Sequence, residues 1–303
     1  MKRRDFITRI AGAAAVTPLI SSSAQADTLT QAPDPGRPPM VTLGNTGIRT
    51  SRLAQGTGYR GTRRQSDQVR AGFQSFVDLM RHGYDRGIRF FDLADQYGSH
   101  YYFREALKHI PREEITILTK LNYRFDGAST TRLTFAQQKH SAKKAIDRFR
   151  LELDVDVVDI LLMHCVITAN WDTELAGFIE GLQEEKEKGH LAALGMSCHT
   201  FEALERAAEV DWVQVALTRI NPYGTAMDAS PEKVIPVQRK FKERGASVIG
   251  MKIYGAGKHV DELDKCMEFA QNLGYLDAMT IGSRTAEEVD TNIRLMNKYP
   301  ARV

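Results

Sequence analysis

From Met40 onward the chain alternates short apolar runs with longer stretches in which apolar residues recur every three or four positions. Eight of the runs have strand length: Arg52–Gly56, Ile88–Leu93, Ile115–Thr119, Val157–Met163, Leu191–Met196, Trp212–Leu217, Ser247–Ile253 and Ala278–Ile281. Their spacing leaves room for one crossover helix after each, the connection that parallel strands require. Residues 67–86 place Val69, Phe73, Phe76, Val77 and Met80 at helical spacing, and residues 136–152 end in Ala145, Ile146 and Phe149 on a similar register. Ahead of the first run, Val41-Thr42-Leu43 turns at Asn45-Thr46-Gly47, a hairpin signal. The pattern predicts the α/β class: a closed (β/α)8 TIM barrel over residues 40–303, with an N-terminal hairpin capping its bottom. An open doubly wound sheet would normally carry a G-x-G-x-x-G turn after its first strand, and no such motif opens a helix here.

The first 26 residues break this pattern. Lys2-Arg3-Arg4-Asp5-Phe6-Ile7 leads into a mild apolar stretch from Ile10 to Ile20 and a small-residue end at Ala24-Gln25-Ala26. That order reads as an export signal cleaved after Ala26. The Arg3-Arg4 pair ahead of Asp5-Phe6-Ile7 points to the twin-arginine machinery as a partner and to a periplasmic or otherwise exported location. The apolar stretch is about half of the ~20 residues a bilayer span needs, so no stable membrane anchor is expected. Residues 27–39, with Pro33, Pro35, Pro38, Pro39 and Gly36, read as a flexible solvated linker.

Charge and cysteine content narrow the classes further. The formal net charge is +3, and that excess sits in the leader, where Lys2, Arg3, Arg4 and Arg9 face only Asp5. The remaining chain is neutral and has no basic cluster, so no nucleic-acid partner is expected. Cys165, Cys198 and Cys266 include no C-x-x-C pair, which excludes a disulfide framework and a four-thiolate metal site. Cys165 and Cys198 follow neighbouring strands and are expected as thiols, with a pair in an oxidising compartment as the alternative.

In a closed parallel barrel the chemistry sits at the C-terminal ends of the strands. There the sequence places Asp92, then Tyr97 before Gly98, then Lys120 after the third strand and His164 after the fourth. An inward lysine after an apolar strand calls for a carboxylate, because an unpaired buried ammonium is costly. Lys120 and Asp92 therefore explain one another. A tyrosine beside them is expected to be a phenol of lowered pKa, whereas His164 taken singly reads as a satisfied core histidine.

The segment Gly87-Ile88-Arg89-Phe90-Phe91-Asp92-Leu93-Ala94-Asp95-Gln96-Tyr97-Gly98, with Lys120 and His164, resembles the aldo-keto reductase superfamily. Residues 41–61, with Leu43-Gly44-Asn45-Thr46-Gly47 and Gly56-Thr57-Gly58, resemble its bottom hairpin and first strand. Ile281-Gly282-Ser283-Arg284 through Asn292 resembles its last-strand cofactor loop, so the likeness covers nearly all of residues 40–298. It implies reduction of an aldehyde or ketone by hydride from a nicotinamide cofactor, with no metal. Tyr97 is then the general acid, Lys120 and Asp92 tune it, and His164 orients the carbonyl. The likeness also implies cofactor contacts at Gly56, Thr57, Asp92, Ser197, Met251, Lys252, Gly282, Ser283, Arg284 and Asn292. Among these Asp92 faces the nicotinamide ribose, Ser197 the carboxamide and Asn292 the adenine.

Several positions depart from the family pattern. The commonest NADPH arrangement has Lys just before the serine of the last loop and Arg five residues after it, where this chain has Gly282 and Glu288. Arg284 can replace those cations, and NADP(H) is favoured over NAD(H) on that basis. Cys198 stands where an Asn is usual, Leu217 where a Gln is, and Met251 where an aromatic ring stacks. The loop Asn122–Gln137, with Tyr123 and Phe125, is a candidate lid, and Trp171 and Tyr223 are candidate pocket walls. The end at Val303 suggests an open site of broad carbonyl tolerance. Two rival readings are a nicotinamide-binding sensor or regulatory barrel with little turnover and a metal-dependent isomerase or hydrolase. The second is disfavoured because His164 and His199 lack clustered carboxylates and Lys120 repels a cation.

Overall fold

The computed structural model describes residues 34–124 and 133–302. The leader, most of the linker and the tip of the candidate lid lie outside them. All the secondary structure among the described residues belongs to the unit that begins at Pro35.

An antiparallel hairpin comes first, with β1 (Met40–Thr42) and β2 (Arg49–Ser51) paired so that Val41 faces Thr50. Eight parallel strands follow: β3 (Leu53–Gly56), β4 (Phe90–Asp92), β5 (Thr116–Leu121), β6 (Val158–Val166), β7 (Leu191–Cys198), β8 (Val215–Arg219), β9 (Ser247–Met251) and β10 (Ala278–Ile281). They close in the order β10-β3-β4-β5-β6-β7-β8-β9, the predicted barrel. Closure removes every sheet edge and buries the strands on both faces, which is why they read as near-continuous apolar runs.

Two separate apolar clusters fill the molecule. Inside the barrel pack Ala54, Phe90, Leu118, Ile160, Leu162, Ala193, Val215, Leu217, Ile249, Met251 and Ala278. Leu43, fully buried at the hairpin turn, joins them from below, while Asn45 N–H donates to the Gly245 carbonyl at 2.8 Å near the start of β9. The hairpin therefore plugs the N-terminal end of the barrel. Outside, Phe91, Ile117, Leu161, Leu194, Val248 and Met279 point at the helices and meet residues such as Phe76, Phe149, Phe241 and Ile293.

The helical prediction at 67–86 splits into Asp67–Arg70 and Phe73–Asp85, because Gly72 at φ +93° takes a backbone conformation closed to other residues. The helix foreseen at 136–152 is Phe135–Leu153, opened by a capping box in which Thr134 Oγ1 accepts from Gln137 N–H. Two strand boundaries differ in ways that affect the site. β8 starts three residues later than predicted and carries Arg219 at its end, and β6 runs on past His164 through a register shift at Cys165, whose φ is +60°. The end of the supposed linker also differs: Pro35 and Pro38 are buried, Asn297 Nδ2 donates to the Pro35 carbonyl and Arg52 N–H to that of Pro39. Residues 35–39 thus lie on the barrel because the two prolines have an apolar surface to cover, where the sequence reading gave them only solvent. No helix among the described residues is long and apolar enough to cross a membrane.

Candidate active site

The two-residue period of a strand explains how the site is assembled. Phe90, Leu118, Leu162, Leu217 and Ala278 are interior residues of their strands. Two residues further on, at the C-terminal rim, stand Asp92, Lys120, His164, Arg219 and Thr280. The same alternation that builds the apolar interior therefore aims a polar side chain from each of these five strands into the barrel mouth.

Lys120 and Asp92 form a buried ion pair, 1% and 6% exposed. The ammonium also donates to the Leu93 carbonyl at 2.9 Å, and Asp92 Oδ2 accepts from Thr280 Oγ1 at 2.8 Å. Thr57, expected against the cofactor, is fully buried and instead braces Asp92: both its N–H and its hydroxyl contact the Asp92 carbonyl at 3.0 Å. Tyr97 follows β4 on a turn closed by Gly98 and lies with its ring 4.8 Å from Lys120 Nζ. A Cβ on Gly58 or Gly61 would overlap that ring, so both positions must be bare for Tyr97 to sit where it does. His164, 4% exposed, meets the Tyr97 ring edge-on at 5.8 Å between centroids, and its Nδ1 has no hydrogen-bond partner among the described residues.

The electrostatics correct one expectation. Burial, reinforced by the Asp92 charge, pushes the Tyr97 phenol well above its ordinary value rather than below it. The reason is geometric: Lys120 donates to Asp92 and Leu93 and faces the ring of Tyr97. Among the described groups Arg219 opposes the upward shift. Burial, with Lys120 and His199 adding to it, holds His164 well below the usual histidine value, and Lys120 itself is lowered by burial against the pull of Asp92. The site therefore contains a protonated phenol, a neutral imidazole and a compensated ion pair.

Beside His164, the Cys165 sulfur lies 3.9 Å from His199 Nε2, and His164, Cys165 and His199 offer three ligand atoms within 4.8 Å of one another. Burial pushes the Cys165 thiol up, and Arg219, Lys120, Arg124 and Lys252 all act on it as cations, a positive surrounding that opposes a metal ion. All three cysteines are free.

A groove of about 420 Å3 leaves the barrel mouth between the ends of β3, β9 and β10. Asp92 and Tyr97 stand at one end, and Arg284, Glu287, Glu288, Thr291 and Asn292 at the other. Gly56, Met251, Lys252, Gly282 and Ser283 also line it. Ser197, in register with His164 on the neighbouring strand, is fully buried, and its Oγ has no hydrogen-bond partner among the described residues. Asn292 is held inside the protein, its Nδ2 donating to Ser283 Oγ at 3.0 Å and its Oδ1 accepting from Tyr254 at 2.7 Å.

Several lining groups escaped the sequence reading. Thr280 was legible as an inward position of the last strand. Tyr59 and the loop Tyr254-Gly255-Ala256-Gly257 carried only the signal of glycine around a tyrosine; a Cβ at Gly257 would strike the Tyr59 hydroxyl across the groove. Two candidate pocket walls lie elsewhere. Trp171 is fully buried among the helices with Nε1 donating to the Ala203 carbonyl, and Tyr223 stacks on His259 at 4.2 Å. Residues 125–132, half of the candidate lid, fall outside the described residues.

Comparison with known proteins places the chain in a family and bears on its fold. The model described as "Aldo/keto reductase family" matches residues 56–271, and the chain belongs to that family. It is 26% identical over 175 residues to the putative aryl-alcohol dehydrogenase AAD16 of Saccharomyces cerevisiae, covering 52% of this chain and 50% of that protein. It is 28% identical over 171 residues to the probable aldo-keto reductase 1 of Glycine max, covering 55% and 47%. The chain thus spans about half the length of the curated relatives it matches. Among solved structures, a putative aldo-keto reductase from Pseudomonas aeruginosa superposes with a TM-score of 0.70 at 21% identity, covering 86% of this chain and 95% of that one. The holo form of aldo-keto reductase AKR11C1 from Bacillus halodurans gives 0.66 at 19% identity, covering 86% and 91%. At such identities the likeness concerns the fold alone.

Proposed function

We propose that this protein is an oxidoreductase that reduces an aldehyde or ketone to an alcohol with a nicotinamide dinucleotide. The observation that carries the reading is the convergence of Tyr97, His164 and the Lys120–Asp92 pair, of which Tyr97 and Asp92 line the groove. The residues fit such a cofactor: the groove is lined both by Asp92 and Tyr97 and by the residues that open the last helix, and Ser197, in register with His164 on the neighbouring strand, holds a buried Oγ with no partner among the described residues, suited to an amide. Gly56, Met251, Lys252, Gly282 and Ser283 would hold the dinucleotide, which when bound supplies the hydride. The sequence expectation of NADP(H) rests on Arg284 meeting a 2′-phosphate.

Tyr97 and His164 bind the carbonyl oxygen and fix its orientation, the phenol O–H donating. As negative charge grows on that oxygen it becomes a far stronger base than a phenolate, so Tyr97 gives up its proton despite its raised pKa. Arg219 then stabilises the phenolate until solvent returns the proton, while Lys120, paired with Asp92, lies over the ring. His164, neutral because it is buried among cations, adds no positive charge that would hold a water in the carbonyl's place.

The test is direct. Purified protein with either reduced dinucleotide should reduce aryl aldehydes, first probes suggested by the yeast relative's name, and Tyr97→Phe should lose roughly 100-fold or more in turnover while still binding dinucleotide. Unchanged turnover in that variant would sink the assignment. For residues 1–26 we propose a twin-arginine export signal, on the strength of Arg3-Arg4. Secretion of the full chain that survives Arg3→Lys/Arg4→Lys would count against that route.

A further inference from the structure

Arg284 is the one cation lining the far end of the groove among the described residues, and its hydrogen bonds bear on which dinucleotide fits. Its guanidinium donates to Glu288 Oε1 at 2.8 Å, and its backbone N–H donates to Glu288 Oε2 at 2.7 Å. Glu288 is thereby placed against the start of the 13-residue helix Ala286–Lys298. Those two donors, a guanidinium and a backbone amide ahead of a helix, are the kind that a phosphate recruits. Here one carboxylate occupies both. Glu287, from the same helix turn, adds a second negative charge to the groove wall.

Hydride must be delivered beside Tyr97, so a dinucleotide seated with its nicotinamide there carries its adenosine toward Arg284, Glu288 and Asn292. A ribose 2′-hydroxyl is a donor that a carboxylate accepts, and a 2′-phosphate is an acceptor-rich dianion that a carboxylate repels. We infer that Glu288, by filling the anion site of Arg284, selects NAD(H) and discriminates against NADP(H), the reverse of the expectation drawn from Arg284 alone. This rests on the reading of the groove as a dinucleotide site. The phosphate-like partner of Arg284 is then a carboxylate of this chain itself, and Glu288 acts as a specificity residue outside the reacting centre.

Equilibrium titration of the full chain with NADH and with NADPH, followed by protein fluorescence or calorimetry, separates the possibilities without any turnover. NADH should bind at least tenfold tighter. Glu288→Gln keeps the shape and helix position but removes the charge, and it should raise NADPH affinity about tenfold while NADH changes little. In competition, 5′-ADP should displace NADH from the wild-type protein better than 2′,5′-ADP does, and Glu288→Gln should narrow that gap. NADPH binding equal to or tighter than NADH, or no gain of NADPH affinity in Glu288→Gln, overturns the selectivity while leaving the nicotinamide reading intact. Binding of neither dinucleotide overturns both.

Discussion

Replacing Lys120 by Met tests whether the ion pair under Tyr97 holds the site together. Methionine matches the unbranched stem of a side chain that is 1% exposed, so packing is nearly preserved while the ammonium is lost. Asp92 then keeps only the Thr280 hydroxyl, and the Leu93 carbonyl loses a donor at 2.9 Å. Breaking a buried pair from one side costs about 3–5 kcal/mol. Because Asp92 borders the groove and water can reach it there, the lower end, about 3 kcal/mol, applies. For a domain of this size that is a fall in Tm on the order of 6–10 °C. Asp92→Asn breaks the pair from the other side. It leaves Lys120, already below the usual lysine value through burial, with no counter-charge. Since the unfolded chain then binds the proton more tightly than the folded one, that variant should recover stability as pH rises from 6 to 9. The double variant Lys120→Met/Asp92→Asn buries no charge and should cost less than the sum of the singles by roughly 2 kcal/mol in urea unfolding. Additive costs, within about 0.5 kcal/mol, would refute the claim that these two residues act on stability through each other.

Gly58→Ala places a methyl group in the Tyr97 ring, so turnover should fall roughly tenfold or more while the melting temperature changes little; unaltered kinetics would show that the phenol need not sit where the structure has it. Acid should weaken the fold through His164: its folded pKa lies well below the unfolded value, so its stabilisation is complete above about pH 6.5 and is lost on acidification by up to ~1.4 kcal/mol per pH unit. Urea midpoints measured between pH 7 and 5 should show a shallower decline in His164→Asn than in the wild type. Gly195→Ala drives a Cβ into the Val215 carbonyl between β7 and β8, both buried, and should be among the most destabilising single changes; a soluble variant with unchanged Tm would contradict the strand pairing.

Much of this molecule was legible in one dimension. Eight apolar runs separated by helix-length segments determine a closed barrel, because parallel strands need long crossovers and a sheet buried on both faces must be apolar throughout. Strand periodicity also brought Asp92, Lys120 and His164 to one rim, since a residue two positions beyond an interior one faces the same way. What the pattern could not show were quantities that depend on who else is nearby. The direction of the Tyr97 shift turns on whether Lys120 meets the hydroxyl or the ring, and the ammonium's hydrogen bonds to Asp92 and Leu93 decide that. Arg219 was missed because β8 runs two residues past the predicted end at Leu217, a boundary set by pairing with β9 rather than by local preference. Pro35 and Pro38 looked like linker residues until the barrel surface they cover existed. Arg284 read alone is a free cation, and only the turn into the last helix, which returns Glu288 to its side, makes it a neutralised one. Sequence determined which groups reach the mouth of the barrel, and tertiary structure decided their charge and partners, because hydrogen bonds and desolvation depend on neighbours distant in the chain.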